Sequence, residues 1–320
     1  MKASRTGSLV FQLAISILLL WLAFKKVDVG TLTNRVGSLR SGWTAVAILT
    51  LFCLVLLTGI RWYFVDRSVG AGITSLRAMR LMLVGHLFSQ LLPSSVGGDG
   101  VRAWLLSREG VPIRRALASV ICDRVVALVV LTAIVACTLP IVIFVAASSI
   151  PSALYLSIVA DTLVISGLVF LYLFGDMLSL WLFRFPWVRP IGVIIRDLTR
   201  VLFTSDVRAW VVNLSILAQA ILISGIYFCA LALSVRFSPV HLLILPLIML
   251  VSSIPISFAG WGLRESAMVT GLGYTGISAG DALAVSVIFG IAQLVVGFPG
   301  LVIVVMSKYA GRNSEFQTSR

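Results

Sequence analysis

Long apolar runs separated by short polar or basic stretches dominate this chain. Six of them, 8–24, 43–60, 125–147, 153–174, 210–233 and 282–306, read as complete membrane crossings. Each falls within the roughly 17–25 residues with which a helix spans a hydrocarbon core about 30 Å thick. Two further apolar segments, 76–107 and 240–272, are interrupted in the middle by Pro and Gly. Their centres read "LLPSSVGGDGVRAWLL" (91–106) and "IPISFAGWGLRE" (254–265). Broken backbone at membrane depth survives only where protein buries it or a wet cavity solvates it. Both segments are therefore predicted to dip into the bilayer and return to their own side. In "IGVIIRDLTRVLF" (191–203), Ile191, Ile194, Ile195, Leu198 and Leu202 share one helical face, opposite Arg196, Asp197 and Arg200. That spacing predicts an amphipathic helix, either lying in the headgroup layer or packed as a short soluble helix on the bundle.

The two interruptions are related. "PSSVGGDGVR" (93–102) aligns without a gap on "PISFAGWGLR" (255–264), matching Pro93 with Pro255, Ser95 with Ser257, Gly98 with Gly260, Gly100 with Gly262 and Arg102 with Arg264. The offset of 162 residues is about half of the 320-residue chain. The chain reads as a single membrane domain, 1–320, with a first repeat over 8–147 and a second over 153–306. Each half holds three crossings, an odd number, so the halves are inverted relative to one another. The expected fold class is an all-α polytopic membrane protein: an inverted repeat of three transmembrane helices plus one re-entrant broken hairpin per half. Paired broken helices in inverted repeats point to a transporter binding site near the bilayer midplane.

Composition and charge set the class and the orientation. With 59% hydrophobic and 12% charged residues and a mean hydropathy of +1.08, a soluble fold is excluded. The run 8–24 follows Lys2 and Arg5 like a signal peptide, but "KKVDVG" rather than a small-residue cleavage site comes after it, so a retained helix is expected. With both interrupted segments re-entrant, one face collects 18 Lys and Arg from the N-terminal tail, 61–80, 108–124, 175–210 and the C-terminal tail, against 5 on the other face. The positive-inside rule then puts both termini in the cytoplasm of a multi-pass plasma (inner) membrane protein. The net charge of +13 points to anionic lipid surfaces and not to nucleic acid. Cys53, Cys122, Cys137 and Cys229 lack CxxC spacing, and His86 and His241 are the only histidines. No disulfide framework, metal or cofactor is expected.

The candidate chemistry sits in the interruptions. Arg102 and Arg264 lie at matching positions, and an arginine at membrane depth costs roughly 2.5–3.5 kcal/mol on an insertion scale. Each implies a resident anion or a carboxylate partner, for which Asp99 and Glu265 are placed. The glycines Gly98, Gly100, Gly260 and Gly262 start each returning half-helix, where free N–H groups form an anion-binding nest. Ser95 and Ser257 flank them, and Pro93 and Pro255 are the hinges. The alternative is that both arginines snorkel to an interface and only anchor their hairpins. Arg61, in "GIRWYF", reads as an interfacial anchor beside Trp62 and Tyr63. Asp123 and Arg124, in "VICDRVVAL", pair locally or touch a headgroup, and Asp161 reads as interfacial.

At these residues the chain resembles the flippase-like transmembrane domain of the lysylphosphatidylglycerol synthase family. The resemblance covers nearly the whole chain and rests on "LLPSSVGGDGVR", "CDRVVAL" and "IPISFAGWGLRE". It implies movement of a phospholipid or lipid-linked headgroup between leaflets, with Arg61, Asp99, Arg102, Asp123, Arg124, Arg264 and Glu265 as functional polar positions. No soluble aminoacyl-transferase segment follows within these residues, so the synthase activity is not carried over. Ala259 and Trp261 stand where family members often carry small residues, and Trp261 is expected to narrow the second half of the site.

The leading expectation is a lipid flippase-like transporter for an anionic phospholipid or a polyprenyl-phosphate-type lipid, and not an enzyme. Two alternatives stay open. One is a membrane-embedded lipid phosphatase or polyprenyl-phosphate-dependent glycosyltransferase, although Ser94, Ser95 and Ser257 lack a base. The other is a non-transporting membrane partner of a separate lipid-modifying enzyme; the protein partners expected are a second copy of the chain, as a homo-oligomer, or such a separate enzyme.

Overall fold

A computed structural model of the chain describes Leu18, Trp21 and residues 39–92, 96–145, 152–185, 187–255, 257 and 260–318. Among the described residues the chain is helical throughout. The helices are α1 (Ser41–Val69), α2 (Ser75–Leu91), α3 (Gly97–Arg108), α4 (Ile113–Val145), α5 (Ser152–Leu182), α6 (Arg189–Thr199), α7 (Arg208–Ala232), α8 (Pro239–Ser252), α9 (Leu263–Gly273) and α10 (Ala279–Thr318). A π-helical turn, Arg200–Thr204, follows α6. Four stretches, Ser41–Val69, Ile113–Phe144, Arg208–Ala232 and Ala279–Met306, are long and apolar enough to cross a membrane. The predicted crossing at 8–24 lies outside the described residues, apart from Leu18 and Trp21.

Local signals set the helix ends. Gly70, at φ 80°, closes α1 in the left-handed conformation and donates its N–H to the Asp66 carbonyl. Pro239 occupies the first turn of α8, where its missing N–H costs nothing, and the Ser238 N–H donates to His241 Nδ1 at 2.7 Å.

One boundary corrects the sequence reading. Helix α4 begins at Ile113, so 113–124 is not a loop ahead of a crossing that starts at 125. Ala116, Ala118, Ser119, Val120, Cys122 and Asp123 are all buried. Arg114, Arg115, Asp123 and Arg124 hide the helical period from a hydropathy pattern; all of them but the exposed Arg114 find partners within the protein.

The bundle has two ends. At one, the Arg40 N–H donates to the Ala232 carbonyl at 2.9 Å, and His241 Nε2 lies 2.9 Å from the Thr275 carbonyl oxygen. At the other, Ser68 and Ser205 hydroxyls meet at 2.6 Å, Arg115 reaches the Val69 carbonyl at 2.7 Å, and Arg77 pairs with Glu109. The pair α2/α3 therefore starts and finishes at the second end, and α8/α9 starts and finishes at the first. Both pack on α10. Leu83 lies against Gly300 and Leu87 against Gly297, with His86 Nε2 3.0 Å from the Gln293 carbonyl. Farther along α10, Arg264 lies against Gly290 and Ser286 donates to Glu265.

The largest apolar core joins α1, α7, α8, α9 and α10, with Leu51, Ile226, Leu233, Leu245, Met268 and Leu283 fully enclosed. Helix α6 does pack on the bundle. Leu198 and the following Val201 are buried with Val65, Val69, Ala118 and Val126, while Ile191 at its start stays exposed.

Candidate functional site: a buried ion network at the first hairpin

The first hairpin closes because two glycines let its arms touch. A Cβ on Gly98 would lie 2.0 Å from the Gly85 carbonyl oxygen and 2.1 Å from Ser89 Oγ. This contact is between backbones, so no larger residue fits without separating the arms. It sets the first turn of α3 against α2, and Asp99 on that turn stands three residues before Arg102 on the next.

Around them five charged side chains form one chain of ion pairs. Arg61, from α1, donates to Asp123 Oδ1 from Nε at 3.0 Å and from Nη2 at 2.9 Å. Arg102 donates to the other Asp123 oxygen at 3.4 Å and to Asp99 Oδ1 at 2.5 Å. Arg124 donates to Asp99 Oδ2. Three guanidiniums face two carboxylates, which leaves one net positive charge. Arg61, Asp99, Arg102 and Asp123 are all buried, whereas the Arg124 side chain is 50% exposed. The network faces a cavity of about 230 Å³ that His86, Ser89, Gln219 and Gln293 also line.

A relay behind the network fixes Arg102. Its guanidinium carbon lies 4.6 Å from the Trp62 ring centroid. The Trp62 Nε1–H donates to Ser119 Oγ at 3.0 Å, Ser119 donates to Asp66 Oδ1 at 2.8 Å, and Asp66 Oδ2 accepts the Ile73 N–H at 2.9 Å. Every polar atom in this relay has a partner, which holds the ring in one orientation.

The second motif is built differently. Gly262, at φ 88°, opens α9 in a conformation that other residues rarely adopt, and its N–H donates to Glu265 Oε2 at 2.6 Å. Arg264 donates to Glu265 Oε1 from Nε at 3.0 Å and from Nη2 at 2.6 Å, and Ser286 adds a fourth bond at 3.2 Å. The Arg264 guanidinium lies between the Trp261 and Phe289 rings, 4.8 and 5.5 Å from their centroids. Glu265 is fully buried, so the expected anion nest is filled by the chain's own carboxylate. Trp261 covers the arginine. Ser257 is buried nearby, and its hydroxyl has no hydrogen-bond partner among the described residues.

Arg61, Asp99, Arg102, Asp123 and Arg124 thus come together, whereas Arg264 and Glu265 occupy their own enclosure. No described residue of 255–265 lines the first-half cavity. Gly98 makes the arm contact, Gly100 and Pro255 are exposed, and Gly260 has φ 82°. Pro93 and Ser95 lie outside the described residues. Two readings of the sequence are corrected. Arg61 is not an interfacial anchor, because both it and Trp62 are buried and engaged across helices. Asp123 and Arg124 do not pair with each other, because adjacent helical residues point in different directions and each finds its partner on another helix. Gly85, Ser119, Asp66, Gln219 and Gln293 were not singled out from the sequence. For Gln219, in "SILAQAIL", and Gln293, in "GIAQLVV", a lone amide in an apolar helix is the signal that marks them.

No curated protein matches the chain. The family model described as "Lysylphosphatidylglycerol synthase TM region" matches residues 9–300. With nearly its whole length covered by that match, the chain belongs to the lysylphosphatidylglycerol synthase transmembrane-region family.

Proposed function

We propose that this protein moves an anionic lipid headgroup between the leaflets of the inner membrane, acting as a transporter and not as an enzyme. The observation that carries the reading is the charge balance of the first-half network: three arginines against two carboxylates, with the half-exposed Arg124 opening on a cavity. A phosphate entering this cavity can replace Asp99 on Arg124 and Arg102, since guanidinium forks donate to phosphate oxygens as readily as to carboxylate oxygens. The headgroup then exchanges one set of charge-assisted bonds for another and avoids the cost of crossing as a bare charge. With no anion present, Asp99 and Asp123 keep the arginines paired.

The reading extends to the membrane arrangement. Each helical hairpin begins and ends at one end of the bundle, the two hairpins at opposite ends, which supports two re-entrant segments in inverted repeats. The basic end carries Arg67, Arg77, Arg80, Arg108, Arg114, Arg115, Arg200 and Arg208. By the positive-inside rule it faces the cytoplasm, with both termini there. In this scheme the Arg264–Glu265 pair is the closed counterpart of the first-half site, and it opens in the other access state.

The test is reconstitution of the purified protein in vesicles containing a fluorescent anionic phospholipid, with an impermeant reductant added outside. Bleaching beyond the outer-leaflet half, faster than in empty vesicles and faster than for a zwitterionic probe, is the expected result. Equal rates with and without protein would rule the transport reading out.

A further inference from the structure

We infer that a second, separate site, between the first turns of α4 and the amphipathic helix α6, binds the glycerophosphate headgroup of an anionic phospholipid. A cavity of about 620 Å³ opens there and shares no lining residue with the ion-network cavity. Among the described residues four arginines line it, Arg114 and Arg115 from α4 and Arg189 and Arg196 near the two ends of α6, against the single acid Asp197. That leaves three net positive charges around a space otherwise walled by apolar side chains. Phe183 forms one wall: the Arg196 guanidinium carbon lies 5.4 Å from its ring centroid, and Arg189 Nε donates to its carbonyl oxygen at 3.4 Å. Arg115 is held by the Val69 carbonyl at 2.7 Å. Arg114 is exposed, and its guanidinium has no hydrogen-bond or ion-pair partner among the described residues.

The chemistry favours a lipid over a free phosphate. Leu117 and Ile121, both lining the cavity on α4, are 41% and 37% exposed, and Trp187, two residues before Arg189 in the sequence, is 84% exposed. Exposed apolar groups beside an arginine cluster fit the boundary between headgroups and acyl chains, where Trp and Arg both settle. The guanidiniums would hold the phosphate, with acyl chains running along α4 past Leu117 and Ile121. Arg114 and Arg124 are ten residues apart on α4, about 15 Å along the helix axis, so the ion network is out of reach of the same headgroup.

The experiment compares the full chain with an Arg114→Gln, Arg196→Gln variant in detergent. Each is titrated with dioleoylphosphatidylglycerol, with dioleoylphosphatidylcholine and with inorganic phosphate, and read by melting temperature and by native mass spectrometry of retained lipid. Phosphatidylglycerol should stabilise the parent, the other two should not, and the variant's apparent affinity should fall roughly tenfold or more. Arg208→Gln, an exposed arginine at the same end of the bundle that lines neither cavity, should keep the phosphatidylglycerol response. If the double variant does not fold, Arg114→Gln alone carries the test, since that side chain is exposed and unbonded. Parental binding by the variant, or loss of the response in Arg208→Gln, would overturn the site. Equal stabilisation by phosphatidylcholine or by phosphate alone would overturn its assignment to an anionic lipid.

Discussion

Replacing Glu265 with Gln keeps the shape of the second motif and removes its charge. The carboxylate is fully buried and accepts four hydrogen bonds: from the Gly262 N–H, twice from Arg264, and from Ser286. An amide offers one accepting oxygen where the carboxylate has two, so its NH₂ must face either the Gly262 N–H or the Arg264 fork, donor against donor. Arg264, only 8% exposed at its side chain, is left charged and uncompensated. Breaking a buried pair in this way costs about 3–5 kcal/mol, more than the roughly 1.5–3 kcal/mol of one hydrogen bond to a charged group. Neutralising the partner as well, with Arg264→Ala, removes the stranded charge and should recover a large part of the loss, leaving a coupling energy of at least about 2 kcal/mol. The assay is unfolding of the parent, both single variants and the double variant in mixed detergent micelles. A loss below about 1 kcal/mol for Glu265→Gln, or a double variant whose loss is the sum of the singles, would refute the reasoning.

Three further outcomes are expected. Gly98→Ala should cost about 1–3 kcal/mol or abolish folding, read by size-exclusion after heating, because its Cβ would fall 2.0 Å from a backbone oxygen; parental stability would mean that the hairpin arms are not in contact. Cysteines introduced at Glu109 and Asp206 should label from one face of the membrane and a cysteine at Ser278 from the other; Glu109 and Ser278 labelling from the same face would contradict two oppositely re-entrant hairpins. Burial raises the Asp197 carboxyl above its ordinary 3.8, against the opposing pull of Arg196, Arg115 and Arg200. The folded state thus favours the protonated acid, and the stability this gives is complete below the ordinary value and lost as pH rises through the raised one. Asp197→Asn should accordingly melt higher than the parent at about pH 7.5, with the gap closing below about pH 4; a gap that widens in acid would reverse the sign.

The parts of this architecture carried by composition were legible in the sequence. Apolar runs mark α1, α7 and α10, and the matched Pro-Gly-Arg stretches mark the turning points of both hairpins. Arg102–Asp99 and Arg264–Glu265 are pairs of close sequence neighbours, and proximity along the chain made them visible. What the pattern did not carry depends on helices meeting. Arg61 and Asp123 are 62 residues apart, so nothing local distinguishes a buried partner from an interfacial anchor. The start of α4 at Ile113 was hidden for the same reason, since Arg115, Asp123 and Arg124 find their partners on other elements. Gly85 reads as an ordinary helical glycine until Gly98 is laid against it.

Arg124 is where the proposed transport role and a merely structural one separate most cleanly. Its side chain is half exposed and bonds only one edge of Asp99, which Arg102 also holds. Losing it should cost about 1 kcal/mol of stability or less. If it is the group that first meets the headgroup phosphate, losing that charge-assisted contact should slow transfer roughly 10- to 100-fold. The measurement is leaflet exchange of a fluorescent phosphatidylglycerol in vesicles carrying either the parent or Arg124→Gln, with melting temperatures taken on the same preparations. Slowed exchange with an unchanged melting temperature, partly restored by Arg124→Lys, is expected; exchange at the parental rate in Arg124→Gln would contradict an anion site in this network.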